Sequence, residues 1–248
     1  TDIKFLEDLS KMKSDAKILI IIPARSGSKG LRDKNKKIFN GNPLCSITFE
    51  FASNLSKFYE SSVVVSTNDP EIQKLSESFF EKSGYERSEA LSGDDTKMND
   101  TIMDVINWAN SRIVFDWVLL LQVTTPQREL APIMDFINWA LEEGDNSCYA
   151  TCSPTGQKAY ELLKRDNNEL KPLSKRVNSP LRQENSNDEI FFEDGCGYFA
   201  SKRFITKNDE FIISEGLKYF PCHKNRIIDI DNRIDFELAE ALCKRNEG

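Results

Sequence analysis

Histidine is nearly missing from this chain. A single one, His223, stands among 248 residues. That scarcity argues against most His-ligated metal centres and leaves a Ser-His-Asp triad without support, because His223 lies in a polar C-terminal context. It reads as a surface or structural residue. Paired C-x-x-C sets are absent as well: the six cysteines, Cys45, Cys148, Cys152, Cys196, Cys222 and Cys243, are scattered and are expected as reduced thiols in a core rather than as zinc ligands. No long run of lysine and arginine occurs, and the formal net charge is -7, so the chain has no electrostatic footprint for nucleic acid or an anionic membrane surface. The longest apolar runs, 18–22 and 117–121, are far too short to span a bilayer. No charged start followed by an apolar stretch marks a signal peptide, and the expected location is cytoplasmic.

What is present is enough apolar residue, 39% of the chain, to bury one substantial core. Residues 1–16 read as a polar lead-in with some helical character, and 17–248 as one domain. Lys17-Ile18-Leu19-Ile20-Ile21-Ile22 is a β-branched run of the kind found in buried parallel strands. Further strands are expected at 62–66, 117–122, 147–152, 190–193, 197–201 and 226–230. Helices are expected at 44–58, from 70 to about 82 with Asp69 as N-cap and Pro70 at the first position, and at 101–111, 131–143 and 234–244. Strands alternating with helices of this length predict an α/β fold with a doubly wound, mostly parallel, Rossmann-like sheet. The alternation falters over 153–189, which reads as an excursion from the sheet that covers substrate or pairs subunits.

Directly after the first strand comes Pro23-Ala24-Arg25-Ser26-Gly27-Ser28-Lys29-Gly30-Leu31-Arg32-Asp33-Lys34-Asn35. Ligands of open α/β sheets bind beyond the carboxyl ends of the strands, where this loop must lie. Gly27 and Gly30 let backbone N–H groups approach phosphate oxygens, Ser26 and Ser28 add hydroxyls, and Arg25, Lys29, Arg32 and Lys34 supply cations. Neither a Walker loop nor G-x-G-x-x-G is present. Near the other end of the chain, Asp229 and Asp231 stand two residues apart. On a strand this places both carboxylates on one face, with Ile228 and Ile230 turned into the core. Such a pair suits Mg²⁺, with Mn²⁺ as a substitute. It also suits a helix N-cap and its neighbour, because Asn232-Arg233-Ile234-Asp235 leads into the last helix.

Ile22-Pro23-Ala24-Arg25-Ser26-Gly27-Ser28-Lys29-Gly30 with Lys34-Asn35 resembles the signature of the acylneuraminate cytidylyltransferases, the CMP-sialic acid synthetases. Three further segments follow in the same order. Leu120-Leu121-Gln122-Val123-Thr124-Thr125-Pro126-Gln127-Arg128 is similar to L-L-Q-P-T-S-P-L-R, Arg182-Gln183 with Asp194-Gly195-Cys196-Gly197-Tyr198 to R-Q … N-G-x-x-Y, and Ile228-Asp229-Ile230-Asp231 to I-D-I-D. The resemblance implies a homodimeric nucleotidyltransferase whose substrates are CTP and an acidic nonulosonate sugar, with the sugar's anomeric hydroxyl attacking the α-phosphate and pyrophosphate leaving. It implies Arg25, Ser28 and Lys29 on the triphosphate, with Ser26 beside them, Lys34 at the α-phosphate, and Asp229 and Asp231 on the metal. Asn35 matches a nucleotide-contacting position, although its amide could equally brace the loop. Arg87 and Thr101 match positions near the nucleotide, with Thr96 competing for the latter role across an insertion of about two residues. Gln122, Arg182 and Tyr198 match positions beside the sugar; a guanidinium suits its carboxylate. Lys158 is either a helper there or an ordinary solvated lysine.

The chain departs from the pattern at Val123, Thr125 and Gln127, at Asp194 where asparagine is usual, and at Asn68 where an aspartate is common. These changes leave the sugar open among N-acetylneuraminate, legionaminate, pseudaminate and a deaminated nonulosonate. Competing readings are an enzyme activating the eight-carbon Kdo or a sugar 1-phosphate, and a noncatalytic nucleotide-binding module. The loops of those enzymes do not fit 25–34, and the carboxylate pair argues against a module.

Overall fold

The computed structural model describes residues 15–27, 30–155, 162–166, 169–172, 190–224 and 227–246. Strand β1 (Ile18–Pro23) is followed by a 3₁₀ turn at Lys34–Lys36, a small hairpin of β2 (Ile38–Phe39) and β3 (Asn42–Pro43), and helix α1 (Leu44–Leu55). Then come β4 (Ser61–Ser66), α2 (Pro70–Ser76), α3 (Met98–Ala109), β5 (Trp117–Leu120), α4 (Leu130–Glu143) and β6 (Cys148–Pro154). A second hairpin, β7 (Leu163–Asp166) with β8 (Glu169–Pro172), precedes β9 (Phe191–Ser201), α5 (Lys202–Asn208), β10 (Leu217–Pro221) and α6 (Arg233–Asn246).

Six strands form one sheet in the order β10-β6-β9-β5-β1-β4. β1 runs parallel to β4 and β5, and β10 parallel to β6, while β9 is antiparallel to both its neighbours. The mostly parallel, helix-covered α/β sheet expected from the alternation is therefore present, with one reversed strand inside it.

The side-chain period of two explains why β1 is apolar throughout. Ile18, Ile20 and Ile22 enter a core shared with Phe49 of α1, Phe136 of α4 and Phe236 of α6. Leu19 and Ile21 enter a second core with Ile102 and Val105 of α3 and Phe204 of α5. β5 divides likewise, Trp117 and Leu119 to the first side and Val118 and Leu120 to the second. A strand covered on both faces needs no polar alternation. Each such side chain contributes about 1.5–3 kcal/mol on burial. Trp117 stacks on Phe199 of β9, with ring centroids 4.8 Å apart, which ties the reversed strand to the parallel half.

Several expectations need correction. Residues 227–230 form no strand and join no sheet; they are tethered by Ile230 N–H to the Thr124 carbonyl (2.9 Å) and Ile228 N–H to Gln127 Oε1 (2.8 Å). Strict alternation is lost accordingly: Ile227 and Ile230 are buried while Ile228 is only half-buried. Helix α2 ends at Ser76 rather than near Lys82. The adjacent Phe79 and Phe80 both turn onto Phe49, with centroids at 5.8 and 6.0 Å, whereas neighbours on a continuing helix point about 100° apart. The segments 190–193 and 197–201 belong to one strand, β9. Strand β10 was not expected; it is a short edge strand with mostly exposed side chains, so its apolar signal is weak. Lys158, Gln183 and most of 153–189 lie outside the described residues.

Asp69 caps α2 as anticipated, accepting from the N–H groups of Glu71 and Ile72 at 2.9 and 3.3 Å. Its other oxygen meets the Lys36 ammonium at 3.0 Å. Burial by itself would raise this carboxyl's pKa, but Lys36 and the two N–H groups outweigh it and hold the value below the ordinary one. A depressed carboxylate stabilises the fold above its unfolded pKa of about 3.9, and that contribution is lost as pH falls through the lower folded value. Asp69→Asn, which keeps a capping oxygen and loses the charge, is expected to lower the urea midpoint at pH 7. The difference from the parent should shrink as pH drops to about 3; a gap that stays constant would show that the charge contributes nothing. Asp69→Ala should cost about 1 kcal/mol more at pH 7 through loss of the cap.

Candidate functional site

Beyond the carboxyl ends of β1 and β5 the chain encloses an open cleft of about 510 Å³. Eight sequence-predicted residues line it together: Arg25, Lys34, Asn35, Arg87, Thr101, Gln122, Asp229 and Asp231. Thr96, the competitor of Thr101, lines it too. Residues that the sequence did not single out complete the wall, among them Asp94, Met98 and Thr124. Ser26 and Tyr198 are not on the lining. Ser28, Lys29 and Arg182 lie outside the described residues.

The loop after β1 is held from three directions. Asn35 is buried and its amide donates to the Arg25 carbonyl at 2.9 Å, so it braces the loop from within. The backbone N–H of Ser26 donates to Asn68 Oδ1 at 2.9 Å, and the Asn68 amide contacts Glu89. An asparagine there can accept from one segment and donate to another, which an ionised aspartate cannot. On the third side the loop meets the C-terminal segment. A Cβ on Gly30 would fall 2.2 Å from the Asp231 carbonyl oxygen, so glycine is required there by close backbone approach. Lys34 donates its ammonium to the Ile230 carbonyl and lies 3.6 Å from Asp231 Oδ1. Its side chain is 11% exposed.

Arg25 reaches across the cleft to Asp94, Nη2 to Oδ1 at 2.8 Å, and to the Ser92 carbonyl at 3.3 Å. Asp94 escaped the sequence reading because a carboxylate is unexpected in a phosphate site; its partner is evident only from the fold. Arg87 is buried and donates to the Leu91 carbonyl and to Thr101 Oγ1, the latter at 3.1 Å. Burial pulls its pKa down, and the Arg25 guanidinium nearby adds to that.

The two aspartates reach one cleft by a route other than strand alternation. The N-cap of α6 is Asn232, whose Oδ1 accepts from Ile234 and Asp235 N–H at 2.8 and 3.1 Å. Asp235 answers by accepting from the N–H groups of Asp231 and Asn232, a reciprocal capping box. The cap reading of the Asp229/Asp231 pair is thereby corrected, and Asp231's own carboxylate is left 80% exposed. Asp229 is exposed and lines the cleft. Desolvation raises its pKa and the Asp231 carboxylate adds to this, against the Thr124 hydroxyl and Lys34. Two carboxylates lining one cleft, one of them with its pKa raised by desolvation and by its neighbour's charge, are a hard-oxygen donor set that suits a divalent cation.

Behind the Gln122 side of the cleft lies an irregularity in β9. Two steps along β6, from Ala150 to Cys152, span five along β9, from Tyr198 to Glu193. The surplus residues bulge toward Gln122, with Gly195 at φ +70° and its missing Cβ site 2.7 Å from Gln122 Oε1. Arg128 fixes this contact from behind: it is buried and donates to the carbonyls of Cys196 (2.5 Å) and Gln122 (2.8 Å) and to Thr125 Oγ1 (2.7 Å). Tyr198 donates its hydroxyl to Glu193 at 2.6 Å; burial, then that carboxylate, pushes its pKa up. His223 is buried, contrary to the surface alternative.

The chain is similar to known proteins along nearly its whole length. CMP-N,N'-diacetyllegionaminic acid synthase of Legionella pneumophila is 31% identical over 237 residues, covering 93% of this chain and 98% of that one. Pseudaminic acid cytidylyltransferase of Campylobacter jejuni is 28% identical over 234 residues, covering 93% and 97%. The solved structure of a CMP:2-keto-3-deoxy-manno-octonic acid synthetase complexed with CTP superposes with a TM-score of 0.65 at 16% identity, covering 93% of this chain and all of that one, a likeness of fold. The cytidylyltransferase family model matches residues 19–246, a span that runs from the first buried strand through both walls of the cleft to the final helix, and the chain belongs to that family.

Proposed function

We propose that this chain transfers CMP from CTP to the anomeric hydroxyl of a nine-carbon acidic sugar, a nonulosonate of the legionaminic, pseudaminic or N-acetylneuraminic kind, with release of pyrophosphate. One observation carries the reading: cationic Arg25, Lys34 and Arg87 and the carboxylates Asp229 and Asp231 converge on a single cleft at the carboxyl ends of β1 and β5. The names of the two bacterial relatives support a nonulosonate over other sugars.

Transfer of a nucleotidyl group needs positioning and charge neutralisation more than covalent help. In this reading Arg25 trades Asp94 for triphosphate oxygens, and Ser26, Ser28 and Lys29 contribute from the same loop. Lys34, held over the junction of loop and C-terminal segment, neutralises charge at the α-phosphate as the new bond forms. Arg87 and Thr101, already joined by a hydrogen bond, position the nucleoside end, with Thr96 alongside. Gln122, Arg182 and Tyr198 serve the sugar side. Asp229 and Asp231 would hold Mg²⁺, which would supply positive charge to offset that of the phosphates.

Pyrophosphate release measured with CTP and a panel of legionaminic, pseudaminic, N-acetylneuraminic and 2-keto-3-deoxy-octonic acids tests the reaction and ranks the sugars. Turnover with a nine-carbon acid is expected; turnover only with the eight-carbon acid, or none beside tight CTP binding, would overturn the reading. Arg25→Ala is expected to weaken CTP binding by about 1.5–3 kcal/mol, the size of one charge-assisted contact, and calorimetry with an unchanged Kd would remove Arg25 from the triphosphate. Asp231→Ala should abolish most turnover while leaving the thermal midpoint near that of the parent, because the side chain is exposed and its backbone N–H keeps Asp235. Full activity at saturating Mg²⁺ would end the metal assignment.

A further inference from the structure

The β9 bulge that backs Gln122 also gathers three metal-binding side chains. One donor atom each from Asp194, Cys196 and His223 lies within 4.8 Å of the other two, all three residues are buried, and no other such group of three occurs among the described residues. The imidazole Nε2 of His223 is fully buried with no hydrogen-bond partner among the described residues. An orphaned buried nitrogen has lost its water with nothing to replace it, so it asks for a ligand. Asp194 is already oriented to share one: the hydroxyls of Thr151 and Ser153 and the N–H of Cys196 (3.0 Å) donate to its carboxylate. Supporting hydrogen bonds of this kind fix ligand carboxylates in metal centres. Asp194 also offsets the buried Arg128 guanidinium, but that role makes no use of the imidazole or the thiol.

We propose that Asp194, Cys196 and His223 bind one divalent transition-metal ion of the zinc class, at a site distinct from the Asp229/Asp231 pair. Sulfur, nitrogen and one carboxylate oxygen are the ligand mix that zinc accepts and magnesium does not. Bond lengths of about 2.0–2.3 Å place tetrahedral ligands roughly 3.4–3.8 Å apart, so the donors must draw together by about 1 Å, a shift that rotation of the Cys196 and His223 side chains supplies while Asp194 keeps its partners. Cys222, buried and next to His223 in sequence, is a protein thiol that could supply the fourth position; otherwise a water takes it. On binding, the Cys196 S–H bond breaks, its proton passes to solvent and the thiolate–metal bond forms, with no electron transferred. The ion would clamp the bulge from behind and stiffen the wall carrying Gln122.

The test uses the whole 248-residue chain, stripped with chelator, reduced and titrated anaerobically with Co²⁺ as a spectroscopic stand-in. One equivalent should bind and give a thiolate-to-cobalt charge-transfer band in the near ultraviolet, which Zn²⁺ then displaces. Cys196→Ser should remove the band, or its own share of it where Cys222 is the fourth ligand, and His223→Gln should weaken binding at least tenfold. Asp231→Ala should leave the band intact, which separates this site from the cleft. Circular dichroism reports whether each variant is folded. A parent protein that gives no thiolate band with stoichiometric Co²⁺ overturns the proposal whatever the variants do, and so does an undiminished band in Cys196→Ser or one that vanishes in Asp231→Ala.

Discussion

The cleft exists because two segments about two hundred residues apart are pressed backbone to backbone. Gly30 sits so close to the Asp231 carbonyl that a methyl group would overlap it, and Lys34 donates into the adjoining Ile230 carbonyl. Neither segment belongs to the sheet, so neither is positioned by ladder hydrogen bonds. Their placement is inherited from β1, whose two buried faces fix where the loop begins, and from α6, whose capping box fixes where the C-terminal segment ends. Cations on one segment and carboxylates on the other thereby face the same space.

That arrangement sets opposite charges against each other without cancelling them. Lys34 and Asp231 are 3.6 Å apart, Arg25 and Asp94 2.8 Å. These partly exposed pairs contribute little to stability, and their ions can be exchanged for others at small cost. A polyanion can take Arg25 from Asp94, and a cation can take Asp231 from Lys34. By contrast, the buried polar groups behind the cleft, Arg128, Asp194 and Thr151, are committed to fixed partners. Leaving any of them unpaired would cost more than a surface ion pair returns. The front of the site is exchangeable and the back is rigid.

The β9 bulge connects the two. Its extra residues remove Asp194 to Gly197 from ladder pairing, turn the Gly195 backbone toward Gln122, and bring Cys196 within reach of a histidine on the segment after β10. The chain has a single imidazole, and the fold buries it beside a thiol and a carboxylate.

Much of this was legible from residue order. β1, α2 with its Asp69 cap, the α/β alternation and the cationic loop each rest on local rules, apolar runs, capping chemistry and glycine spacing, that act over a few residues. The convergence of Arg25, Lys34, Asp229 and Asp231 was anticipated through the family resemblance rather than from pattern alone. What residue order did not determine was everything fixed by contact between distant segments: that 227–230 lies outside the sheet, that Asn232 rather than Asp231 caps α6, that Asp94 holds Arg25, that α2 stops where Phe79 and Phe80 both find Phe49, and that His223 is buried against Asp194 and Cys196. Local propensity is written along the chain, whereas the partner of a side chain across the fold depends on packing that only the assembled structure decides.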